Sequence, residues 1–257
     1  MWTTLAFAAS LAPGPQPIVH PRYVVVVDAG HGGDNPGCLA FDGRTPEKDV
    51  AMALARHVVT AIEAVLPHAE VHLTRDDDDA MPLAARVQWA NALDADLFLS
   101  LHANASPDHT QSGFETYVLD ARSSSHEAAW TARRENDDVA LEPAAVVNEP
   151  LLMTLQLERT AQRESALRFA AALQRAQAER FPTRSDRGIR QAPFDVLMGT
   201  RMPAVLFEAG FLDHPEEGHW LLRPEAQREI AEGIAEAVVV HYREAHQLRP
   251  RSSPPRG

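Results

Sequence analysis

Short apolar runs that end in a polar side chain are the clearest pattern in this sequence. The four valines at 24–27 form a β-branched run that is apolar on both faces, which is typical of a strand buried in a sheet covered on both sides. Asp28 and a glycine-rich turn carrying His31 follow at once. The pattern predicts a strand at 23–28 with a histidine just past its carboxyl end, the edge of an open α/β sheet where ligands bind.

Two later runs repeat this arrangement. The predicted strand at 96–101 is followed by His102, and the predicted strand at 203–207 is followed by Glu208. Because the carboxyl ends of parallel strands meet at one edge of a sheet, we expect His31, His102 and Glu208 to lie on the same rim.

Helical periodicity occupies most of the remaining chain. Thr45 is predicted as the N-cap and Pro46 as the first residue of a helix with an apolar stripe at Val50, Leu54, Val58, Ile62 and Val65. Further helices are predicted at 83–93, 151–180 and 224–241, strands at 70–75 and 113–119, a polar loop at 187–191 and a short strand at 194–198. The order of elements predicts one α/β domain.

Three segments fall outside this regular pattern. Residues 1–22 are an apolar leader followed by a proline-rich linker. The leader has the length of a signal-peptide core and ends in Ser10-Leu11-Ala12, which resembles a cleavage site. It lacks the basic residues with which a signal peptide begins. We expect an exported protein, and a loosely packed start is the alternative. The domain is predicted to span 23–245, with a polar surface insertion at about 120–150, and 246–257 is predicted to be a disordered tail.

Composition narrows the classes of function. The length of 257 residues suits a single domain with a sizeable core. A formal net charge of -12 argues against nucleic acid or acidic lipid as a partner held by charge. Cys38 is the single cysteine, which excludes an internal disulfide and any cysteine-based zinc cluster.

The residue types at the predicted rim suit a metal. Two imidazoles and one carboxylate form a common hydrolytic zinc site with one position open for water, and Glu47 is the candidate carboxylate because its helix follows the His31 loop. Zinc held in this way lowers the pKa of its water and polarises a carbonyl. The alternatives are a structural hydrogen-bonding role for His31 and His102 and a helix-dipole role for Glu47.

Glu208 is the candidate general base and acid. It lies between Phe207 and Ala209 at the end of an apolar strand, so partial burial is expected to raise its pKa. The alternative is a structural carboxylate in a salt bridge.

These residues lie in segments that resemble the zinc-dependent N-acetylmuramoyl-L-alanine amidases of bacterial cell walls. The matching segments occur in family order: VDAGHGG (27–33), EKDV (47–50), LTRD (73–76), SLHAN (100–104), GFETY (113–117), RGIRQA (187–192) and MPAVLFEAGFL (202–212). The resemblance implies zinc bound by His31, Glu47 and His102, with Glu208 as the catalytic glutamate. It also implies a largely parallel central sheet flanked by helices, and hydrolysis of the amide between N-acetylmuramic acid and L-alanine in peptidoglycan.

The insertion at 120–150 departs from the simplest members of that family. Its segment ARREN (132–136) resembles the region that, in some cell-division amidases, covers the zinc site until an activator displaces it. We expect this insertion to regulate access, with Glu142 or Glu149 blocking the open zinc position. A plain surface loop is the alternative.

Two other functions remain open from the sequence. A zinc peptidase that cuts within the stem peptide would show the same rim residues. A catalytically silent wall-binding domain would keep the fold, but all four candidate residues are present here. The amidase interpretation predicts peptidoglycan as substrate, one Zn²⁺ per chain, a periplasmic or cell-wall location and an activator if the insertion is inhibitory.

Overall fold

A computed structural model describes residues 22–136 and 149–248, with the side chains of 149–159 and 248 left out. Its strands are β1 (Tyr23–Ala29), β2 (Ala69–Leu73), β3 (Leu97–Asn104), β4 (Phe114–Leu119), β5 (Asp186–Ala192) and β6 (Ala204–Phe211). Its helices are α1 (Glu47–Val65), α2 (Leu83–Ala92), α3 (His126–Glu135), α4 (Glu149–Arg180), α5 (Pro215–Leu221) and α6 (Pro224–Leu248). The predicted leader, the linker up to Pro21 and the predicted tail from 249 onward lie outside the described residues, as does Glu142.

The strands form one six-stranded sheet in the order β2-β1-β3-β6-β4-β5. β1 is parallel to β2 and β3, β3 is parallel to β6, and β4 is parallel to β5; the pairing of β4 with β6 is antiparallel. The predicted α/β domain with a largely parallel sheet is therefore confirmed.

The four valines of β1 show why the sheet needs cover on both faces. Val25 and Val27 pack in a core cluster with Leu54 of α1 and Ile234 of α6. The alternate valines, at 24 and 26, pack in a second cluster on the opposite face, which includes Ala132 of α3. Successive side chains of a strand point to opposite sides, so the valines of β1 contribute to the core on both faces of the sheet.

Several local predictions were wrong. Helix α1 begins at Glu47, with Pro46 in the N-cap position, because the Thr45 hydroxyl donates to Asp42 Oδ2 (2.8 Å) and does not cap the helix. Val65 is half exposed at the last residue of α1. Helix α6 runs three residues into the segment predicted as tail.

Two short segments near the site also differ from prediction. The predicted polar loop at 187–191 is part of β5, an edge strand that pairs only with β4 and therefore tolerates polar side chains. The predicted strand at 194–198 is a 3₁₀ turn over Asp195–Leu197, in which the Leu197 amide donates to the Phe194 carbonyl. Within the described residues, no helix is both long and apolar enough to cross a membrane.

Candidate metal centre

The two histidines predicted for the rim lie next to each other at the carboxyl ends of β1 and β3. His102 is part of β3, and His31 follows β1 with a positive φ of 60°. The edge-to-face rings have centroids 4.8 Å apart. Their closeness depends on Gly30, because a Cβ at that position would lie 2.4 Å from Cε1 of His102.

Hydrogen bonds fix which nitrogen of His31 faces inward. The side-chain oxygen of Asn35 accepts a hydrogen bond from the Gly37 amide (2.9 Å) and lies 3.2 Å from Nδ1 of His31. Because an amide oxygen only accepts, Nδ1 carries the proton and Nε2 is left with a free lone pair.

Glu47 reaches the same point from the first residue of α1. Its Oε2 accepts from the Cys38 amide (3.0 Å) and its Oε1 accepts from the Ala103 amide (3.0 Å). Its side chain is completely buried. The three predicted metal ligands, His31, Glu47 and His102, are thus brought together.

A fourth carboxylate, from Glu135, completes the cluster. His31 Nε2, Glu47 Oε1, His102 Nδ1 and Glu135 Oε2 lie within 4.8 Å of one another. Nε2 of His31 is 3.0 Å from Glu47 Oε1, 3.2 Å from Glu135 Oε2 and 3.2 Å from Nδ1 of His102. Nδ1 of His102 is 3.2 Å from Glu47 Oε1 and 2.9 Å from Glu135 Oε2.

These separations fit a tetrahedral metal site. Ligands at about 2.1 Å from a zinc ion lie about 3.4 Å from each other along the edges of a tetrahedron. The five separations that involve a histidine nitrogen are 2.9–3.2 Å, and Glu47 Oε1 and Glu135 Oε2 lie within 4.8 Å of each other. Two imidazoles and two carboxylates are also a donor set that zinc accepts. The cluster can therefore hold a divalent cation.

The sequence interpretation missed Glu135. It lies in the segment predicted as a surface insertion, but part of that segment is α3, whose N-cap Ser125 accepts from the Ala128 amide (3.1 Å). The buried residues of α3 recur at helical spacing: Ala128, Thr131, Ala132 and Glu135. That spacing is the signal that could have identified the helix.

The residues proposed from sequence for the blocking role were Glu142 and Glu149. Glu142 lies outside the described residues, and so does the side chain of Glu149. Glu135 is the member of the insertion that the structure places beside both histidines.

Electrostatics show how strongly this cluster attracts positive charge. Burial on its own lowers the pKa of both imidazoles, but the charges of Glu47 and Glu135 outweigh it, so the pKa of His31 rises well above its usual value and that of His102 rises to about 9. Burial on its own raises the pKa of Glu47 and Glu135, but the neighbouring cations outweigh it, so the pKa of both carboxyls is lowered and that of Glu135 falls well below its usual value. A divalent cation would take the place of these protons.

Glu208 lies beside the cluster on β6. It is the register partner of His102, and its side chain is completely buried. Neither carboxylate oxygen has a hydrogen-bond partner within the described residues, and Nη2 of Arg134 is 3.7 Å from Oε1. Burial, followed by the charge of Glu135, raises the pKa of Glu208 well above its usual value, as the sequence predicted.

Two buried arginines hold the turn that carries His31. Arg86 donates to the carbonyls of Ala29 (2.7 Å) and His31 (2.6 Å) and forms an ion pair with Asp28 (2.9 Å). Arg75 donates to the carbonyls of Ala29 (3.0 Å) and Gly30 (2.9 Å). These contacts tie the turn that carries His31 to the scaffold.

The family model for N-acetylmuramoyl-L-alanine amidase matches residues 25–239, which is most of the chain. The chain belongs to this family. It is 33% identical over 226 residues to the amidase AmiA of Escherichia coli, covering 86% of this chain and 76% of AmiA. It is 30% identical over 221 residues to the amidase AmiC of Neisseria meningitidis, covering 84% of this chain and 52% of that protein.

Solved amidase structures share the fold. The catalytic domain of CwlV, an N-acetylmuramoyl-L-alanine amidase from Bacillus (Paenibacillus) polymyxa var. colistinus, superposes with a TM-score of 0.63 at 30% identity, covering 88% of this chain and 99% of that domain. An N-acetylmuramoyl-L-alanine amidase from Clostridium difficile superposes with a TM-score of 0.65 at 26% identity, covering 85% of this chain and 95% of that one. The chain is thus an enzyme of the amidase class that acts on cell-wall peptidoglycan, with a potential metal cluster at the rim of its sheet.

Proposed function

We propose that this amidase is a zinc enzyme that hydrolyses the amide between N-acetylmuramic acid and L-alanine. His31, Glu47 and His102 are the zinc ligands and Glu208 is the catalytic residue. The observation that carries the proposal is the compact cluster of four ligand atoms next to the buried carboxyl of Glu208, the register partner of His102. The same donor set would accept other divalent ions, and zinc suits two imidazoles and a carboxylate best.

Bound zinc would supply Lewis-acid chemistry, lowering the pKa of water and polarising the amide carbonyl. Glu208 takes a proton from the attacking water and passes it to the leaving amine nitrogen of alanine. Both steps need a carboxyl with a raised pKa, and the burial of Glu208 provides one. The Ala103 amide and the Cys38 amide donate to the Glu47 carboxylate and orient it.

The second part of the proposal is that α3 holds the enzyme in an inactive state. Glu135 supplies the fourth ligand atom of the cluster, the position that a hydrolytic zinc site leaves open for water. The side chains of His31 and His102 are each 5% exposed, so substrate has no route to them in this arrangement. Activity therefore requires α3 to move.

Polar contacts at both ends hold α3 in place. At its amino end, Arg190 Nη1 donates to Oγ of the N-cap Ser125 (3.1 Å). Near its carboxyl end, Arg134 Nη1 donates to Asn104 Oδ1 (3.1 Å) and to the Ala105 carbonyl (3.3 Å). The Asn136 side chain donates to the Pro193 carbonyl (2.6 Å). Ala128 and Ala132 also pack in the core cluster on this face of the sheet, so an activator has to replace apolar as well as polar contacts of α3.

Three further proposals follow from the sequence. An activator protein would bind the α3 region and relieve the inhibition. The substrate lies outside the cytoplasm, so the enzyme would be exported to the periplasm or the cell wall. The apolar leader at 1–12 would be the export signal.

The test is digestion of purified peptidoglycan by the zinc-loaded full chain, followed by mass spectrometry of the products. We expect little release by the wild type and at least about tenfold more by Glu135→Ala, in line with the loss of one charged contact. The control is Glu229→Ala, which removes an exposed carboxylate of α6 and should leave the rate unchanged.

The products decide between the functions. Free peptides beginning with L-alanine, absent when Glu208→Gln is added to Glu135→Ala, support the amidase and the role of Glu208. Cleavage within the stem peptide would instead indicate a zinc peptidase. No product from any variant, despite one zinc bound per chain, would indicate a silent wall-binding domain. Equal rates for Glu135→Ala and wild type would contradict the inhibitory role of α3.

A further inference from the structure

We propose that Arg187 and Arg190 form a carboxylate-binding subsite for the acidic stem peptide, and that Glu127 of α3 occupies this subsite in the closed enzyme. The inference rests on the proposed function and adds a specificity site to it. Helix α3 would then mimic the substrate at two points, with Glu135 in the metal cluster and Glu127 on the arginine pair.

The arginine pair lies on β5, which β4 separates from the strand of the catalytic carboxyl, β6. Glu115 of β4 is the register partner of Glu208, in the row that also contains His102. Both arginines of β5 reach this residue: Arg187 Nε is 2.9 Å and Arg190 Nε is 2.7 Å from Glu115 Oε2. A group bound by the pair would therefore sit next to the reacting amide.

Charge on the pair is balanced only with the help of α3. In the described part of the chain, both guanidinium groups form ion pairs with Glu115 and with Glu127. Glu127 Oε2 lies 3.1 Å from Arg187 Nη2 and 3.2 Å from Arg190 Nη1. When α3 leaves, two cations share the single carboxylate of Glu115, and one positive charge is exposed to the substrate.

The carboxylate of Glu115 is part of the scaffold. Its side chain is 2% exposed, and its Oε1 accepts from Asn104 Nδ2 (2.8 Å) and Tyr117 Oη (2.7 Å). The side chain of Glu127, in contrast, is 52% exposed. Glu115 therefore stays in place to orient the arginines, whereas Glu127 can be exchanged for another carboxylate.

A cavity of about 250 Å³ adjoins the pair. Its lining includes Asn104, Gln111, Trp130, Arg187 and Phe211. The Arg187 guanidinium stacks 4.9 Å above the Phe211 ring, which fixes its plane. Trp130 belongs to α3, so this volume is that of the closed enzyme, and the cavity widens when α3 leaves.

The stem peptide presents the matching chemistry. A glutamate follows the alanine of the scissile amide, so a carboxylate lies one residue beyond the reacting bond. Paired guanidinium groups bind carboxylates with geometric selectivity, because their planar donors match the two oxygens.

The experiment compares two soluble ligands, N-acetylmuramoyl-L-alanyl-D-glutamate and its uncharged diamide. Binding is measured by calorimetry on the zinc-loaded full chain carrying Glu127→Gln, Glu135→Ala and Glu208→Gln. In this background α3 has lost both carboxylates that we propose to occupy the site, and the enzyme cannot turn over. We expect the acid to bind at least about tenfold more tightly than the diamide. Adding Arg187→Gln or Arg190→Gln should remove that preference.

Two comparisons separate binding from folding. Arg228→Gln, which removes an exposed arginine of α6, should keep the preference for the acid. Restoring Glu127 in this background should lower the affinity for the acid several-fold and leave the affinity for the diamide unchanged, because Glu127 competes only with a carboxylate. A general folding defect would lower both affinities together.

The inference is overturned if the acid and the diamide bind equally in the background, if neither binds, or if the arginine variants weaken both alike. Failure of the proposed function has a separate readout, which is absence of cleavage between the muramic acid and alanine when Glu208 is intact.

Discussion

Nδ1 of His102 lies 2.9 Å from Oε2 of Glu135, although one residue belongs to the central sheet and the other to a helix laid over its rim. The contact joins a predicted zinc ligand to the segment that we propose as the inhibitor. The same carboxylate oxygen is 3.2 Å from Nε2 of His31. In the function we propose, competition between Glu135 and water for the metal would connect the position of this helix to the activity of the enzyme.

Arg134 should contribute directly to that inhibition. Its guanidinium bonds Asn104 and the Ala105 carbonyl on β3 and the following turn, and it lies 3.7 Å from Glu208. Arg134→Ala removes charge-assisted bonds of the closed state, so we expect about a tenfold higher rate on peptidoglycan. The matched control is Arg133→Ala, since Arg133 is the exposed neighbour on the same helix. Equal rates for the two variants would show that Arg134 does not hold α3.

Zinc should stabilise the fold as well as the reaction. Without a cation, the carboxylates of Glu47 and Glu135 face each other across the two imidazoles in a buried site. Free zinc at 100 times its dissociation constant would add about 2.7 kcal/mol to the free energy of unfolding. We expect dialysis against a chelator to lower the melting temperature and abolish activity, and stoichiometric zinc to restore both.

The histidine variants provide the control for this measurement. In His31→Ala and His102→Ala, zinc should raise the melting temperature far less than in the wild type. A wild-type melting temperature that is indifferent to zinc would contradict the metal site.

Gly30 should be intolerant of any side chain. A Cβ at this position would lie 2.4 to 2.7 Å from three atoms of the His102 ring, and these separations require the ring to move. We expect Gly30→Ala to fold but to bind zinc at least about tenfold more weakly, since ligand geometry sets metal affinity. Gly43→Asn is the control, because nothing lies within 4 Å of the added Cβ and asparagine tolerates the positive φ of 66°. Unchanged zinc affinity in Gly30→Ala would count against this role of Gly30.

The strand ends explain how much of the site could be predicted from sequence. His102 and Glu208 each follow an apolar run, so strand periodicity predicts both on one rim of a parallel sheet. The structure adds that their strands are adjacent and that the two residues are register partners. His31 follows a third run on the neighbouring strand β1. The roles of these residues stay predictions, but their convergence did not need the structure.

Glu135 and the arginine pair could not be found in this way. α3 is short and mostly polar, and its burial comes from alanines packed on the sheet, which carry little apolar signal. Arg187 and Arg190 lie on an edge strand whose polar sequence is typical of a loop. Their partner Glu115 is identified only by the register of β4 with β6.

The buried His241 of α6 should make stability depend on pH far from the metal. Tyr23 Oη lies 2.7 Å from its Nδ1, and Ser165 Oγ lies 3.2 Å from its Nε2. Burial lowers the pKa of His241 to about 4, with the charge of Arg168 acting in the same direction. In the unfolded chain the pKa is about 6.5.

The sign follows from proton binding. Between about pH 6.5 and pH 4 the unfolded chain binds a proton at position 241 that the folded chain does not, so the stability falls as the pH falls through this window, by roughly 1.4 kcal/mol per pH unit. The stability contributed by the neutral imidazole is fully present above the unfolded pKa. Urea unfolding of the zinc-loaded chain at pH 7, 6 and 5 measures the free energy of unfolding at each pH. The control is His241→Gln, because this variant lacks the titrating imidazole. We expect the wild type to lose stability more steeply than the variant, and parallel curves would show that His241 is not buried as a neutral imidazole.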